Sequence, residues 1–561
     1  MRQRLEFVYG PEKAPGIMHR AEEIIERYRP LIPDRDGGRD ERDVLLITYA
    51  DSVVEPAAAP LRTLDRFLRE RVGDLMSLVH LLPFYPYSSD DGFAVQDFRR
   101  VRDELGDWED IERLAESYRL AFDAVINHVS ASSVYAKGYL GGDPQFEDFF
   151  IELDPDTNTS SVLRTRDEPL LHDYETADGE TRWLWTTFSR DQIDLNFRSP
   201  RVLLETLEVL LFYAQHGASV LRLDAIPYLW KRLGTSCAHL PRTHALIKFL
   251  RDAFDAAAPH VLLMAECNVP QPKNFAYLGE GGDESQIVYN FTLPPLIVFA
   301  LLREDAGYLT EWAKTVPYPG ENATYLNITA THDGIGMRPT EGLLSEEERQ
   351  ELMDLAFARG GDVTGKRNSD GSISPYELNV TYFDAVNDPN DDEPLERQVR
   401  RFMLSQAIAM SFIGIPAVYI HSLVGSRNYL EGVRRTGRAR SINREQLHRE
   451  ELEDALEDPS SRRSMVYRRY CEMLEVRRRE SAFHPSARQE VLDLGPEIFA
   501  LRRHNQKTGG AVVALHNVTG STQEVATEGP ANGEMRDLLT GERFGGETVE
   551  LGAYQVRWMK V

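Results

Sequence analysis

The feature that most constrains the fold is the regular return of short apolar, β-branched segments along the chain. The segments that we interpret as strands are 44–49, 78–84, 122–129, 219–224, 260–266, 286–291, 324–333 and 415–422. Amphipathic stretches of helical length lie between several of them: 61–72, 108–121, 201–217 and 242–257. Strands that alternate with helices pair in parallel, and eight such units close into a barrel. The sequence therefore predicts an α/β fold, a (β/α)8 TIM barrel.

The spacing of these strands is uneven, and the longer gaps predict inserted loop domains. Residues 130–199 are polar and rich in Pro and Asp, and they are too many for a plain barrel loop. After about residue 490 short alternating segments such as GAVVALHNVT predict a small C-terminal β domain. The predicted domains are a barrel in three parts, two insertions and the β domain. In chain order they are 1–129 (barrel), 130–199 (inserted B domain), 200–333 (barrel), 334–395 (second insertion), 396–489 (barrel) and 490–561 (β domain).

The charge of the chain argues against several classes of partner. Its 561 residues include 90 acidic and 64 basic side chains, for a net charge of −26, which repels nucleic acid and anionic membranes. Its three cysteines fit neither a disulfide framework nor a CxxC metal site, and no other metal-ligand spacing appears. No apolar run is long enough for a membrane span or a signal peptide, so we expect a cytoplasmic protein. We also expect it to be a monomer or a homodimer.

Two charges interrupt the apolar run SVLRLDAIPYLW at 219–230. Arg222 and Asp224 lie two positions apart, so in a strand their side chains point to the same face. Unpaired charges in a buried strand would cost several kcal/mol. The two residues therefore form either a structural ion pair or part of a site.

The ends of the other predicted strands also carry polar residues, and barrel enzymes place their chemistry at these ends. The polar residues are Asp51, His80, Asp123, Asn127, His128, Arg222, Asp224, Glu266, His332 and Asp333. Single segments have simpler explanations, such as a capped strand end or a core histidine. Together they place three carboxylates at the ends of strands four, five and seven. Repulsion between close carboxylates separates their pKa values, which suits glycosyl transfer better than acyl transfer or redox chemistry.

The segments that carry these residues resemble a known family. DAVINH, GASVLRLDA, the Glu of LLMAECN and TATHDG are similar to the four signature segments of the α-amylase superfamily, glycoside hydrolase family 13. HLLPFYPYSSDDGFAV, GTSCAHL, SPYELN and SINR resemble its sucrose phosphorylase subgroup, above all the members that act on glucosylglycerate and on sucrose 6-phosphate. The resemblance extends from about residue 40 to the C-terminus.

The resemblance implies a role for each acidic group. Asp224 would be the nucleophile that bonds to the anomeric carbon, Glu266 the general acid, and Asp333 the ligand of the glucose 2- and 3-hydroxyls. Arg222 would keep Asp224 ionised and aimed. The implied glucose subsite also contains Asp51, His80, His128, Phe188, Gln192, Arg222, His332 and Arg444. No cofactor and no metal is implied.

A phosphorylase must also bind phosphate, and a strongly acidic protein needs local cations for this. The candidates are Arg164 and Arg166 in the first insertion and Arg338 and Tyr376 in the second, which would carry the acceptor-site loop. Relatives that accept anionic groups have an additional cation near the SPYE motif, where this chain has Ile373; Lys366 and Arg367 lie a few residues earlier.

The resulting expectation is a retaining α-glucoside phosphorylase that uses phosphate to release α-glucose 1-phosphate. Glucosylglycerate is the expected substrate, and sucrose 6-phosphate, glucosylglycerol and sucrose are the alternatives. An α-glucosidase or transglucosylase would use the same carboxylates. A non-catalytic barrel is a further alternative, but it would not need Asp224, Glu266 and Asp333 together.

Overall fold

The centre of the molecule is a closed barrel of eight parallel strands. The computed structural model describes residues 1–35, 37–166, 168–367, 372–526, 535–545 and 548–561, without the side chain of Arg367. The barrel strands are Leu45–Thr48, Leu78–Leu81, Arg119–Ala124, Ala218–Leu223, Leu262–Ala265, Ile287–Tyr289, Thr324–Asn327 and Ile415–Tyr419. Each pairs with the next in chain order, and the eighth closes on the first. The predicted fold class is confirmed.

The barrel strands are buried on both faces, which explains their apolar composition. In the first strand Leu45 pairs with Leu78 of the second strand and with Ala417 of the eighth. All four residues of Leu45–Thr48 are buried, because side chains fill the barrel interior and helices cover its outside. Since all eight strands run the same way, their carboxyl ends meet at one rim.

The third unit of the barrel differs from its prediction. The predicted helix 108–121 ends at Ala115, and the strand begins at Arg119, which pairs with Leu78. The Asp107 side chain begins this helix with a capping box. Residues 119–121, at the end of the predicted helix, instead pair with the second barrel strand. The predicted strand 122–129 also covers two elements, since His128–Ser130 is a separate strand that pairs with Gln192–Asp194.

Helices surround the barrel and extend into the insertions. Their bounds are Arg2–Tyr9, Ala14–Tyr28, Pro60–Phe67, Trp108–Ala115, Val134–Leu140, Pro200–Gln215, Pro241–Ala257, Gln271–Phe275, Leu293–Arg303, Gly307–Lys314, Glu346–Ala358, Tyr382–Val386, Leu395–Ser411, Ile420–Leu423, Leu430–Thr436, Arg449–Glu457 and Arg462–Arg477. The first two helices were not predicted. They pack on the outside of the barrel, where Arg27 pairs with Glu208 and the Tyr9 hydroxyl donates to the Phe197 carbonyl.

Two groups of short strands interrupt the barrel at the rim. The first contains the hairpin Leu171–Glu175 and Thr181–Trp185 besides the His128–Ser130 pair. The second is a three-stranded sheet of Ile335–Gly336, Ile373–Asn379 and Asp362–Arg367. The sheet places the turn after the seventh strand beside the SPYELN segment. The exact boundaries of the inserted domains stay predictions.

The C-terminal region is a β sheet that packs against the barrel. Its strands are Arg488–Asp493, Ile498–His504, Ala511–Asn517, Val556–Lys560, Met535–Asp537 and Arg543–Phe544 in sheet order, beside the pair Gln523–Ala526 and Thr548–Leu551. Alternation along Ile498–His504 explains the attachment. Phe499 and Leu501 join the main core, whereas Ile498 and Ala500 fill a separate core of the β region.

Across the described ranges, no helix is both long enough and apolar enough to span a membrane.

Candidate active site

The carboxyl ends of the barrel strands open into one cavity. Asp224, Glu266 and Asp333, which the sequence predicts on three different strands, all line it. The other predicted residues on its wall are His128, Phe188, Gln192, His332, Arg166, Arg338 and Tyr376. The remaining predicted residues lie elsewhere: Asp51, His80, Arg164, Arg222 and Arg444.

Arg222 lies beneath the cavity and connects its carboxylates. Its Nη1 donates to Asp224 Oδ1 at 2.9 Å and also to Asp123, and its Nη2 is 3.9 Å from Glu266 Oε1. Arg222 is only 3% exposed, so these carboxylates must compensate its charge. The pair Arg222–Asp224 is therefore both an ion pair and part of the site.

His80 supports this network from below. Its Nε2 is 2.8 Å from Asp123 Oδ2, and both side chains are fully buried. Burial would raise the pKa of Asp123, but Arg222 and His80 lower it below its usual value. His80 is not among the described residues that line the cavity, and its predicted place in the glucose subsite stays a prediction.

Asp224 and Glu266 share one buried environment but differ in their contact with Arg222. Burial, together with repulsion from Asp224 and Asp333, raises the pKa of Glu266 to about 7 against the opposing effect of Arg222. Burial also raises the pKa of Asp224, against Arg222 and His128. Because Arg222 bonds to Asp224 directly and stands farther from Glu266, we assign the shared proton near neutral pH to Glu266.

Asp333 is held by two arginines. Arg440 Nη1 is 2.7 Å and Arg444 Nη2 is 3.4 Å from its Oδ1. Burial would raise the pKa of Asp333, but the guanidinium groups of Arg440 and Arg444 hold it well below the usual range. Burial lowers the pKa of His332 to about 3, so this neighbour is neutral. Asp333 is therefore an ionised acceptor on the cavity wall.

Aromatic rings and polar atoms alternate around the cavity. The Phe93 ring stacks on His332 with 5.1 Å between centroids, and His128 lies 5.0 Å from the Phe188 ring. His128 Nε2 is 2.9 Å from the Phe93 carbonyl and 3.2 Å from Gln192 Nε2. A wall of ring faces and hydrogen-bonding groups fits a sugar, which is apolar on its faces and polar at its rim.

Arg444 supports the wall instead of lining it. Its Nη1 forms an ion pair with Asp91, and its Nε donates to the His332 carbonyl at 2.9 Å. This arrangement fixes the backbone that presents both His332 and Asp333. Arg444 is not among the described residues that line the cavity, although it contacts Asp333, and its predicted place in the glucose subsite stays a prediction.

Asp51 lies away from the cavity. Its Oδ2 accepts hydrogen bonds from Arg102 Nη2 and Gln446 Nε2, both at 3.0 Å. The first strand ends at Thr48, and Asp51 lies in the turn that follows. Asp51 is not among the described residues that line the cavity, and its predicted role as a glucose ligand stays a prediction.

Two arginines with potential to bind an anion also line the cavity. The Arg166 guanidinium lies over the rings of Phe188 and Tyr376, at 5.8 and 5.3 Å from their centroids. Arg338 is 6% exposed and lines the same cavity. Its Nε has no hydrogen-bond partner among the described residues, and Glu341 Oε1 is 3.9 Å away. A buried guanidinium with unused donor capacity is a candidate ligand for an anion.

The other predicted cations do not share this position. Arg164 donates to the Glu168 carbonyl and is not among the described residues that line the cavity. Lys366 Nζ is 3.3 Å from Glu341 Oε1, behind Arg338, and the side chain of Arg367 lies outside the described part of the chain. Ile373 is 64% exposed, so its apolar side chain does not occupy the site.

Several residues on the cavity wall were missed by the sequence analysis. They are Asp90, Phe93, Tyr228, Asn268, Glu377 and Arg440. The segment SSDDGFAV contains a signal for the first two, because two acids and an aromatic residue follow the second strand. Gln192 Nε2 donates to Asp90 Oδ2 at 3.1 Å, which brings this loop onto the wall.

The arrangement provides three different carboxyl groups around one space. One is bonded to a cation, one has a pKa raised to about 7, and one is held ionised by arginines. A carboxylate nucleophile beside a protonated acid is the equipment for double displacement at a sugar carbon. Arg166 and Arg338 on the same cavity wall allow an anion to take part.

Comparison with known proteins agrees with this chemistry. The family model described as alpha amylase, catalytic domain, matches residues 75–326. The chain is 43% identical to a glucosylglycerate phosphorylase of Spirochaeta thermophila over 100% of this chain and 98% of that protein. It is 42% identical to a glucosylglycerate phosphorylase of Escherichia coli over 99% of both chains.

A solved structure supports the fold. The crystal structure of sucrose 6F-phosphate phosphorylase from Thermoanaerobacter thermosaccharolyticum superposes with a TM-score of 0.76, over 92% of this chain and 99% of that one, at 24% identity. Whole-length identity above 40% to glucoside phosphorylases, together with the three carboxyl groups in one cavity, settles the family. The chain belongs to the α-amylase-type glycoside phosphorylases and is most similar, among these proteins, to the glucosylglycerate phosphorylases.

Proposed function

We propose that the protein is a glucosylglycerate phosphorylase that transfers glucose to inorganic phosphate with retention of the α configuration. The observation that carries the proposal is the cavity itself. Asp224 and Glu266 supply the nucleophile and the acid, and Arg166 and Arg338, which line the same cavity, supply positive charge. In a chain with net charge −26, such a local pair of cations favours an anionic ligand.

In the first step, Asp224 attacks the anomeric carbon of the glucoside. The C1–O bond to glycerate breaks, the bond from C1 to Asp224 forms, and Glu266 gives its proton to the departing glycerate oxygen. Arg222 stabilises Asp224 as a carboxylate before the attack. Asp333 accepts hydrogen bonds from sugar hydroxyls while positive charge develops on the ring.

In the second step, a phosphate oxygen attacks C1 from the face that glycerate left. The bond from C1 to Asp224 breaks, and the Glu266 carboxylate accepts the proton that the monohydrogen phosphate loses. Two inversions give α-glucose 1-phosphate. Glycerate and phosphate are both anions and leave or enter at the same face, so one pair of cations, Arg166 and Arg338, can serve both in turn.

The proposal is tested by the synthetic reaction. The purified protein is incubated with α-glucose 1-phosphate and, separately, with glycerate, glycerol, fructose or fructose 6-phosphate, and phosphate release is measured. We expect the fastest release with glycerate. A faster reaction with another acceptor would reassign the substrate, and equal glucose release with and without any acceptor would show a hydrolase.

Arg338 provides a sharper prediction about the leaving group. Replacing it by Met keeps most of the volume but removes the charge, and kcat/KM for glucosylglycerate should fall by about 10- to 100-fold, the range for a lost charge-assisted hydrogen bond. The neutral substrate glucosylglycerol should lose less than about threefold. In a double-displacement reaction kcat/KM for the glucoside reports only the first step, so phosphate binding does not enter.

The matched control for this variant is Arg164→Met, which removes a guanidinium that lies near the cavity but does not line it. Its kcat/KM should stay close to that of the wild type for both substrates. Equal losses for glucosylglycerate and glucosylglycerol in Arg338→Met would argue against contact between Arg338 and the carboxylate of glycerate.

The compartment and assembly follow from the same proposal. We propose that the protein works in the cytoplasm, where inorganic phosphate is available as a substrate, as a monomer or homodimer. Its proposed partners are the glucoside and phosphate alone.

A further inference from the structure

We propose that Glu377 is a positioning residue: it sets the orientation of Arg440, and through Arg440 it fixes which oxygen of Asp333 faces the sugar. This inference rests on the proposed function, because it assigns Asp333 to the sugar hydroxyls. Neither Glu377 nor Arg440 was expected from the sequence to take part in the site.

The three side chains form one hydrogen-bonded chain. Arg440 uses Nη2 and Nε to donate to the two oxygens of Glu377, at 2.6 and 3.0 Å, and uses Nη1 to contact Asp333 Oδ1 at 2.7 Å. All three nitrogens of the guanidinium are therefore engaged. A planar guanidinium that is bound along one edge by a carboxylate has little freedom to rotate. Glu377 therefore determines where Nη1 of Arg440 points.

The charges around Arg440 make this orientation necessary. Its guanidinium faces three carboxylates, Asp333, Glu377 and Asp90, and all of them attract it. Glu377 is 2% exposed, and its two-pronged contact outweighs single contacts to the others. Without that contact Arg440 is free to turn towards Asp90 or to grip both oxygens of Asp333. In the observed arrangement Arg440 and Arg444 both approach Oδ1, which leaves Oδ2 for the sugar.

The contact also connects two parts of the chain. Glu377 lies in the strand Ile373–Asn379 of the second insertion. Arg440 lies in the short 3-10 helix Ala439–Asn443, which comes after the eighth barrel strand. The preceding residue, Tyr376, packs against Arg166 on the cavity wall. The same strand thus contacts Arg166 through Tyr376 and Arg440 through Glu377.

The test compares two donors that differ by one hydroxyl. α-Glucosyl fluoride and its 2-deoxy analogue both have a leaving group that needs no acid, so only sugar binding and the nucleophile matter. Glu377→Gln keeps the shape but removes the charge that fixes Arg440. We expect kcat/KM for α-glucosyl fluoride to fall by about 30-fold, within the range for a misplaced catalytic contact, and that for the 2-deoxy donor by less than about threefold.

This difference is a chemical form of a double-mutant cycle. If Glu377 acts through Asp333, removing the hydroxyl and removing the charge disturb the same interaction, and their effects overlap. Equal losses with both donors, or no loss with either, would overturn the proposal. A purely structural role for Glu377 predicts equal losses.

Two further variants keep the test decisive. Glu377→Asp retains the charge with a shorter reach, and it should show a smaller loss with the same dependence on the 2-hydroxyl. Thr364→Val removes the hydrogen bond that Asn379 Nδ2 donates to Thr364, at 2.7 Å, and changes the residue that lies opposite Glu377 in the same hairpin. Thr364 itself supplies none of the contacts between Arg440, Glu377 and Asp333. This variant should leave both donors nearly unaffected.

The outcome is independent of the acceptor. If wild-type protein uses α-glucosyl fluoride but fails with glucosylglycerate and phosphate, the proposed function fails while the role of Glu377 can still be measured. If phosphorolysis is normal and Glu377→Gln loses activity equally on both donors, only the positioning role fails.

Discussion

Asp224→Asn is expected to lower kcat for phosphorolysis by about 10⁴-fold or more, the largest effect of any single change in this protein. Asn has the same shape as Asp but cannot form the ester bond to C1. The contact of Arg222 with position 224 changes from an ion pair to a neutral hydrogen bond, and Asp123 still compensates the arginine. The melting temperature should therefore change little, which separates lost chemistry from lost folding.

A second variant at this position identifies the nucleophile directly. Asp224→Ala opens a small space beside C1, and azide can occupy it when α-glucosyl fluoride is the donor. Azide then attacks C1 as fluoride leaves, and a single inversion gives the β-glucosyl azide. Recovery of turnover with this product would confirm the role of Asp224. Substantial activity of Asp224→Asn without azide would show that another group attacks C1.

The barrel and the acidic centre could be predicted because both depend on local pattern. Runs such as VLLITY and SVLRLD are buried on both faces, and no helix of ordinary amphipathicity resembles them. Once the barrel is inferred, Asp224, Glu266 and Asp333 must meet, since parallel strands end at one rim. The structure places all three on one cavity.

Some of the predicted residues do not line the cavity, and the reason is physical. The end of a strand gives the rim on which a residue lies, but not the partner of its side chain. Asp51 therefore bonds to Arg102, and His80 contacts Asp123. Arg440, in contrast, comes to Asp333 from a distant turn through tertiary packing, and no periodicity in its own segment reveals such a contact.

The loop after the second strand shows a further limit of sequence patterns. Asp90 and Asp91 adopt φ angles of 55° and 49°, and Gly92 follows with φ 112°. A Cβ at Gly92 would lie 2.7 Å from Pro83 Cβ, so only glycine fits there. The left-handed residues carry a strain of about 1–3 kcal/mol each. The ion pair of Asp91 with Arg444 and the bond from Gln192 to Asp90 offset that strain.

Glu266→Gln gives the second large effect, and its size should depend on the leaving group. With glucosylglycerate, kcat should fall by about 10²- to 10⁴-fold, the range for a lost general acid. With α-glucosyl fluoride the rate of the first step should fall far less, because fluoride departs without a proton. Loss of the same size for both donors would contradict the assignment of Glu266 as the acid.

The pH dependence of the wild type provides an independent check of this acid. Glu266 must be protonated to act, and its pKa is raised to about 7, so kcat/KM for glucosylglycerate should decline as the pH rises through 7. Asp333 imposes no limit in this range, because its pKa is held well below the usual value. As the pH falls below 7, kcat/KM should decline only when Asp224 takes up a proton. Burial raises the pKa of Asp224 above its usual value.

α-Glucosyl fluoride, the donor that needs no acid, distinguishes the alkaline limb of this pH profile from its acid limb. With α-glucosyl fluoride the alkaline decline should disappear in the wild type, while the acid limb from Asp224 persists. In Glu266→Gln the alkaline limb should be absent for both donors, since no titrating group remains at position 266. An alkaline limb near pH 7 that survives this substitution would assign the raised pKa to another group and would leave Glu266 without its role as the acid.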